Sequence, residues 1–103
     1  MAHQEKVETV LGRAVIQGLL GEGRPVAGFV DVQGVRDGVA ALHKAFAHVP
    51  DVLHAFAVKA APLVPVLRLL ADAGMGCETA SPGETRLALA AGFAPDRIVL
   101  DSP

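Results

Sequence analysis

The fold of this chain is decided by one short stretch, His54-Ala55-Phe56-Ala57-Val58-Lys59-Ala60-Ala61. Its apolar composition predicts a buried β-strand that carries a single lysine near the carboxyl end. Because side chains alternate along a strand, Ala55, Ala57 and Lys59 are expected on one face, and Phe56, Val58 and Ala60 on the other. A lysine is rarely buried without a partner. Lys59 is therefore expected either to reach water from the strand end or to take part in chemistry.

Before this stretch, the pattern predicts a helix, a linker, a strand and a second helix. An apolar stripe at three- and four-residue spacing predicts a helix over residues 5–20. Residues 21–25 are expected to form a linker. The β-branched segment Val26 to Val32 predicts a strand that ends at Gln33-Gly34. The second helix would present Val35, Val39, Leu42 and Phe46 on one face.

After Lys59 the alternation continues. Pro62 and Pro65 are expected at the start of a third helix, which Gly74 would end. Residues 75–80 predict a strand, in which Cys77 faces away from Glu78 as a small buried hydrophobe. Ser81-Pro82-Gly83-Glu84 predicts the start of a helix that runs to Gly92, and a strand follows over 98–100. The fold class is therefore α/β, with alternating βα units, parallel strands and right-handed crossovers after an N-terminal helix.

Composition excludes several kinds of protein. The 103 residues are 51% hydrophobic and 19% charged, which is typical of one small globular domain. A formal net charge of −2 gives no electrostatic reason to expect nucleic acid or a membrane surface as partner. No apolar run reaches the ~20 residues of a membrane span, and no secretory signal is visible. The single cysteine, Cys77, fits a reducing compartment, so a cytoplasmic location is expected. The four histidines lack metal-ligand spacing, and no metal is expected.

Three blocks together resemble a known family. They are Phe56-Ala57-Val58-Lys59-Ala60, the run Gly76-Cys77-Glu78-Thr79-Ala80-Ser81-Pro82-Gly83-Glu84, and Arg97-Ile98-Val99-Leu100-Asp101-Ser102-Pro103. In this order they resemble the fold-type III pyridoxal-phosphate (PLP) decarboxylases, which include the diaminopimelate, ornithine and arginine decarboxylases. The similarity extends from about Pro25 to the last residue.

The resemblance implies a fold and a division of the chain. Residues 1–24 would form an N-terminal helix and linker, and residues 25–103 part of a PLP-binding TIM-type (β/α)8 barrel domain. The strand over 26–32 would join a separate β-rich domain. Such barrels need roughly 250 residues. We therefore expect an N-terminal fragment of a longer enzyme, inactive when alone.

The resemblance also implies the site. Lys59 would form a Schiff base with PLP, whose ring stabilises the carbanion left by the departing carbon dioxide. Ala57 would leave room for the cofactor ring. Glu78 stands where the family usually has aspartate; it would either hold the lysine charged or orient it, or be an exposed residue at a strand end. Ser81 and Glu84 match the family block but are explained as helix caps.

The implied function of the full-length parent is PLP-dependent decarboxylation of a basic or diamino acid, by a homodimer with active sites at the subunit interface. One alternative is a fold-type III racemase or PLP carrier. Racemases usually follow the lysine with Tyr-Gly-His, whereas this chain has Ala60-Ala61-Pro62. Another alternative is an inactive barrel fragment or interaction module. The amino-acid substrate is not readable, because the family's specificity residues lie outside this stretch.

Overall fold

The structure is a computed structural model that describes residues 2–101 and divides them into two units, residues 2–30 and 31–101. Ser102 and Pro103, the end of the third sequence block, lie outside the described residues. The first unit contains α1 (His3–Ile16). This helix ends four residues before the expected boundary, because the backbone N–H groups of Leu19 and Leu20 both turn back to the carbonyl of Ala14. Gly21 and Arg24 then close a tight turn with paired backbone hydrogen bonds of 3.0 and 3.1 Å.

The strand expected over residues 26–32 is not formed. Residues 25–31 have no regular secondary structure, and Val32 is the first residue of α2 (Val32–Ala45). A strand needs a hydrogen-bonding partner, and none of the described residues pairs with this segment. Gln33-Gly34, expected to end the strand, lies in the first turn of α2, which is capped by the Asp31 side chain accepting from the Gly34 N–H at 2.9 Å.

The second unit contains three parallel strands in the order β1-β2-β3. This confirms the parallel α/β arrangement, although three strands are formed where four were expected. The elements after α2 are β1 (Ala55–Ala57), a 3₁₀ turn (Val58–Ala60), α3 (Val64–Asp72), β2 (Gly76–Thr79), α4 (Pro82–Ala91), a second 3₁₀ turn (Pro95–Arg97) and β3 (Ile98–Leu100).

The strand expected over residues 54–61 is much shorter than predicted. It covers Ala55–Ala57 only, and the chain turns at Val58–Ala60, where the Ala61 N–H bonds the Val58 carbonyl at 3.1 Å. The expected alternation of Ala57 and Lys59 on one strand face is therefore wrong. The turn allows the Val58 side chain to be completely buried while Lys59 remains exposed.

One face of the sheet is covered by helices and holds the core. Leu67 of α3 is fully buried, which stabilises the fold by roughly 1.5–3 kcal/mol relative to an exposed leucine. The predicted apolar face of α2 is confirmed for three of its four residues, because Val39 is buried and Val35 and Leu42 pack against the core. Phe46 lies just beyond the helix and is exposed. The buried core residues are Val39, Val58, Leu67, Leu70, Met75, Cys77, Ala88, Ala91 and Phe93.

The termini of α3 and α4 follow the sequence signals. Pro65 lies in the first turn of α3, and Gly74 adopts φ +91° just beyond its end, whereas Pro62 lies before the N-cap Leu63 and outside the helix. Ser81 caps α4, Pro82 is its first residue, and Gly92 ends it at φ +103°. Capping residues act within one turn of a helix, so the sequence predicts these helix ends well. Within residues 2–101, no helix has both the length and the apolar composition to cross a membrane.

Candidate functional site

The register of the sheet determines which side chains share a face. Ala57 pairs with Glu78, and Glu78 pairs with Val99 on the other side. Cys77 and Thr79 are fully buried towards the helices. By alternation, Ala57, Glu78 and Val99 face the opposite side of the sheet.

That opposite face is lined by small side chains and is open. Ala55 is exposed and Ala57 is half-buried, and Ala55 pairs with Gly76 on the neighbouring strand. Glu78 is half-buried at the carboxyl end of the same surface. Gly76 itself is buried beneath the Leu53 side chain, so the accessible small side chains of this face are those of Ala55 and Ala57.

Lys59 is the second residue after β1, at the edge where all three parallel strands end. Its side chain is exposed and makes no hydrogen bond or ion pair with another residue in 2–101. Glu78 belongs to the neighbouring strand and ends near the same edge. The two side chains do not form an ion pair with each other. The structure thus brings Lys59, Ala57 and Glu78 to one edge of the sheet, but it does not join the amine to the carboxylate.

Ser81 and Glu84 are both used as helix caps. The Glu84 N–H donates to Ser81 Oγ at 3.1 Å, as expected for an N-cap. The Glu84 carboxylate reaches back to accept from the Ala80 N–H at 3.0 Å, one residue before the cap. Both side chains are therefore accounted for by the β2–α4 connection.

A hydroxyl pair at this connection was not expected. Thr79 Oγ1 lies 3.0 Å from Thr85 Oγ1, and Thr79 is fully buried. The available signal was a threonine at a core-facing strand position, which needs a hydrogen-bond partner. Sequence alone does not say which residue supplies that partner.

An open cleft of about 360 Å³ lies beside the carboxyl ends of β2 and β3, lined by Ala80, Ser81, Pro82, Thr85 and Leu100. Neither Lys59 nor Glu78 lines it. His43 and His54 pack together with ring centroids 5.3 Å apart, at the opposite end of β1. Within residues 2–101, no group of three or more acidic, cysteine or histidine side chains is arranged to hold a metal ion.

Comparison with known proteins identifies the family. Residues 33–103 match the family model described as "Pyridoxal-dependent decarboxylase, pyridoxal binding domain". This match covers well over half of the chain, so the chain belongs to this family of pyridoxal-binding domains. The cofactor of the family is PLP, and the free amine of Lys59 beside an open surface of small residues fits an aldehyde cofactor.

Two curated relatives are diaminopimelate decarboxylases. The protein from Bacteroides thetaiotaomicron is 35% identical over 71 residues, covering 69% of this chain and 18% of the relative. The protein from Methanothermobacter thermautotrophicus is 38% identical over 71 residues, covering 68% of this chain and 17% of the relative. The matched part thus spans less than a fifth of each relative. No solved structure gives a significant match.

Proposed function

We propose that this chain is the N-terminal part of a PLP-dependent decarboxylase acting on a basic or diamino acid, as diaminopimelate decarboxylases do. The observation that carries the proposal is the position of Lys59. It is an exposed, unpaired amine two residues after a strand of a pyridoxal-binding domain. When bound, PLP supplies a sink for the electron pair left on the α-carbon as carbon dioxide departs.

Each side chain at the site has a proposed task. The Nζ atom of Lys59 would hold the cofactor through its aldehyde carbon. Ala57 has no side-chain atom beyond Cβ and leaves the ring room against β1. The Glu78 carboxylate, which lies beside Ala57 in the sheet, orients the lysine amine.

We further propose that the second unit is the start of a TIM-type (β/α)8 barrel. The three parallel strands with helices on one face support this, because the opposite face would line the barrel interior. In this proposal residues 1–24 are an N-terminal helix and linker, and residues 25–103 belong to the partial barrel domain. The strand that was expected over 26–32, of which residues 26–31 form no regular structure here, would then be completed by a separate β-rich domain. The complete enzyme is proposed to be a cytoplasmic homodimer.

The test measures carbon dioxide release by the full-length protein that carries this chain. Diaminopimelate, ornithine and arginine are supplied separately, with PLP present. We expect release from at least one of them, and loss of that release to background in Lys59→Ala. The matched control is Lys44→Ala, another exposed lysine, which should retain the wild-type rate.

Two results would contradict the proposal. Wild-type release of carbon dioxide by Lys59→Ala would show that Lys59 is not the cofactor anchor. Loss of optical activity from the amino acid without any carbon dioxide would favour the racemase alternative instead.

A further inference from the structure

Thr79, the last residue of β2, is a buried polar residue in an apolar environment. Among residues 2–101 it is the one polar or charged side chain that is buried, and it is fully buried. A hydroxyl placed there loses its hydrogen bonds to water, so it needs a partner within the protein. The partner is Thr85 in the first half of α4, at 3.0 Å. A valine at position 79 would fill the same space without any partner.

The two hydroxyls form consecutive hydrogen bonds that run in one direction. Thr85 Oγ1 donates its proton to the backbone carbonyl of Ser81 at 3.1 Å. A threonine hydroxyl has a single proton, so Thr85 accepts from Thr79. Thr79 therefore donates to Thr85, and Thr85 donates to the Ser81 carbonyl.

Two other hydrogen bonds fix the same connection. The Ala80 N–H donates to the Glu84 carboxylate, and the Glu84 N–H donates to Ser81 Oγ. Residues 79, 80 and 81 are thus each bonded to the first turns of α4. Glu78 immediately precedes them, on a strand paired on both sides.

We propose that Thr79 and Thr85 are positioning residues, which fix the end of β2 and so hold the Glu78 carboxylate in place relative to Lys59. This inference rests on the proposed function of Glu78 and Lys59. The hydroxyl pair can form only when α4 is docked with its first turns against β2. A slip or rotation of the strand end would break the pair and would also move Glu78, because Glu78 and Thr79 are adjacent in the same strand.

The test uses Thr79→Val, which replaces the hydroxyl with a methyl group of similar size, and Thr79→Ser, which keeps the hydroxyl and loses the methyl group. Thr9→Val is the control for losing a threonine hydroxyl away from the site, because Thr9 is exposed in α1, where its hydroxyl donates to the Glu5 carbonyl. Two quantities are measured in the full-length protein. One is amide hydrogen exchange at Ala80 and Glu84 without cofactor, and the other is the dissociation constant for PLP.

We expect Thr79→Val to speed the exchange of the Ala80 amide and to weaken PLP binding, each by about 3- to 10-fold, as for the loss of one hydrogen bond. Thr79→Ser should restore both to near the wild-type values, and Thr9→Val should change neither. Rescue by serine separates the hydroxyl's role from that of side-chain volume.

Three results would overturn the inference. Unchanged exchange in Thr79→Val would show that the pair does not fix the end of β2. Faster exchange with unchanged PLP binding would show that the pair acts on the fold alone. Failure of Thr79→Ser to rescue would assign the effect to packing. If the wild-type protein did not bind PLP, the proposed function would fail, while exchange at Ala80 would still decide whether the threonine pair fixes the strand end.

Discussion

At the scale of single residues, Cys77 and Glu78 are adjacent in β2 but have different environments. Cys77 is fully buried towards the helices, as the sequence predicted, and Glu78 is half-buried on the other face. Burial raises the pKa of the Cys77 thiol, and the negative charge of Glu78 raises it further. The thiol therefore acts as a small packing group and not as a nucleophile.

This raised pKa predicts how stability depends on pH. An unfolded cysteine titrates near pH 8.5, below the folded thiol. At alkaline pH the unfolded state therefore binds fewer protons than the folded state, and stability falls as pH rises. The contribution of the neutral Cys77 thiol to the free energy of unfolding is complete below about pH 8.5 and is lost as pH rises through the folded-state pKa.

The measurement compares urea unfolding of the wild type and Cys77→Ala, under reducing conditions, from neutral to alkaline pH. Groups common to both proteins cancel in the difference of their unfolding free energies. We expect the unfolding free energy of the wild type to exceed that of Cys77→Ala by a constant amount near neutral pH, and this difference to shrink above about pH 8.5. A difference that stays constant throughout would contradict the account.

Lys59 shows where residue-level prediction succeeds and where it does not. The lysine was identified from its position near the carboxyl end of an apolar strand, and the structure places it exposed and unpaired in the turn that follows that strand. Its predicted face was wrong, because alternation applies only while the chain remains extended. Burial of Val58 in the core accompanies the turn that ends the strand, and this tertiary effect has no local signal.

At the scale of secondary-structure elements, the sequence predicts helix ends better than it predicts strands, because a helix cap is local and a strand needs a partner. The start of α4 was predicted because Ser81, Pro82 and Glu84 act within one helical turn. The expected strand over 26–32 failed because its residues favour an extended chain but cannot specify a partner. Asp31, at the end of that segment, is the cap of α2, and an N-cap signal competed there with β-branched composition.

Two glycines test the packing of these elements. A Cβ on Gly76 in β2 would lie 2.7 Å from Leu53 Cδ1 and 2.8 Å from the backbone oxygen of Arg97. A Cβ on Gly38 in α2 would contact nothing within 4 Å. Gly76→Ala should therefore destabilise the fold by about 1–3 kcal/mol through overpacking, whereas Gly38→Ala should stabilise it by about 0.5–1 kcal/mol through helix propensity.

Chemical denaturation of the two variants under identical conditions measures both effects. The Arg97 backbone oxygen is the decisive contact for Gly76, because the flexible Leu53 side chain can move, whereas the Arg97 backbone directly adjoins β3 and cannot move without disturbing that strand. An unchanged free energy of unfolding in Gly76→Ala would contradict the packing described for β2. A lowered free energy of unfolding in Gly38→Ala would contradict the open surroundings described for Gly38 in α2.

At the scale of the whole molecule, the second unit has one covered sheet face and one open face. Helices and the apolar core cover the side of Cys77 and Thr79, while Ala57, Glu78 and Val99 lie on the other side. The alternation of strands and helices predicted this parallel arrangement. The barrel and the further site residues remain part of the proposal, because the matched part spans less than a fifth of the relatives and this chain holds no sequence from which to predict them.

The central claim is that Lys59 is the covalent anchor for PLP, and reductive labelling tests it most directly. The full-length protein is mixed with PLP and reduced with borohydride, and its peptides are mapped by mass. The lysines of this chain are Lys6, Lys44 and Lys59, so the first two serve as internal controls. We predict a pyridoxyl group on Lys59 and none on the other two above background. Labelling spread evenly over the three lysines, or concentrated on a lysine outside this chain, would contradict the claim.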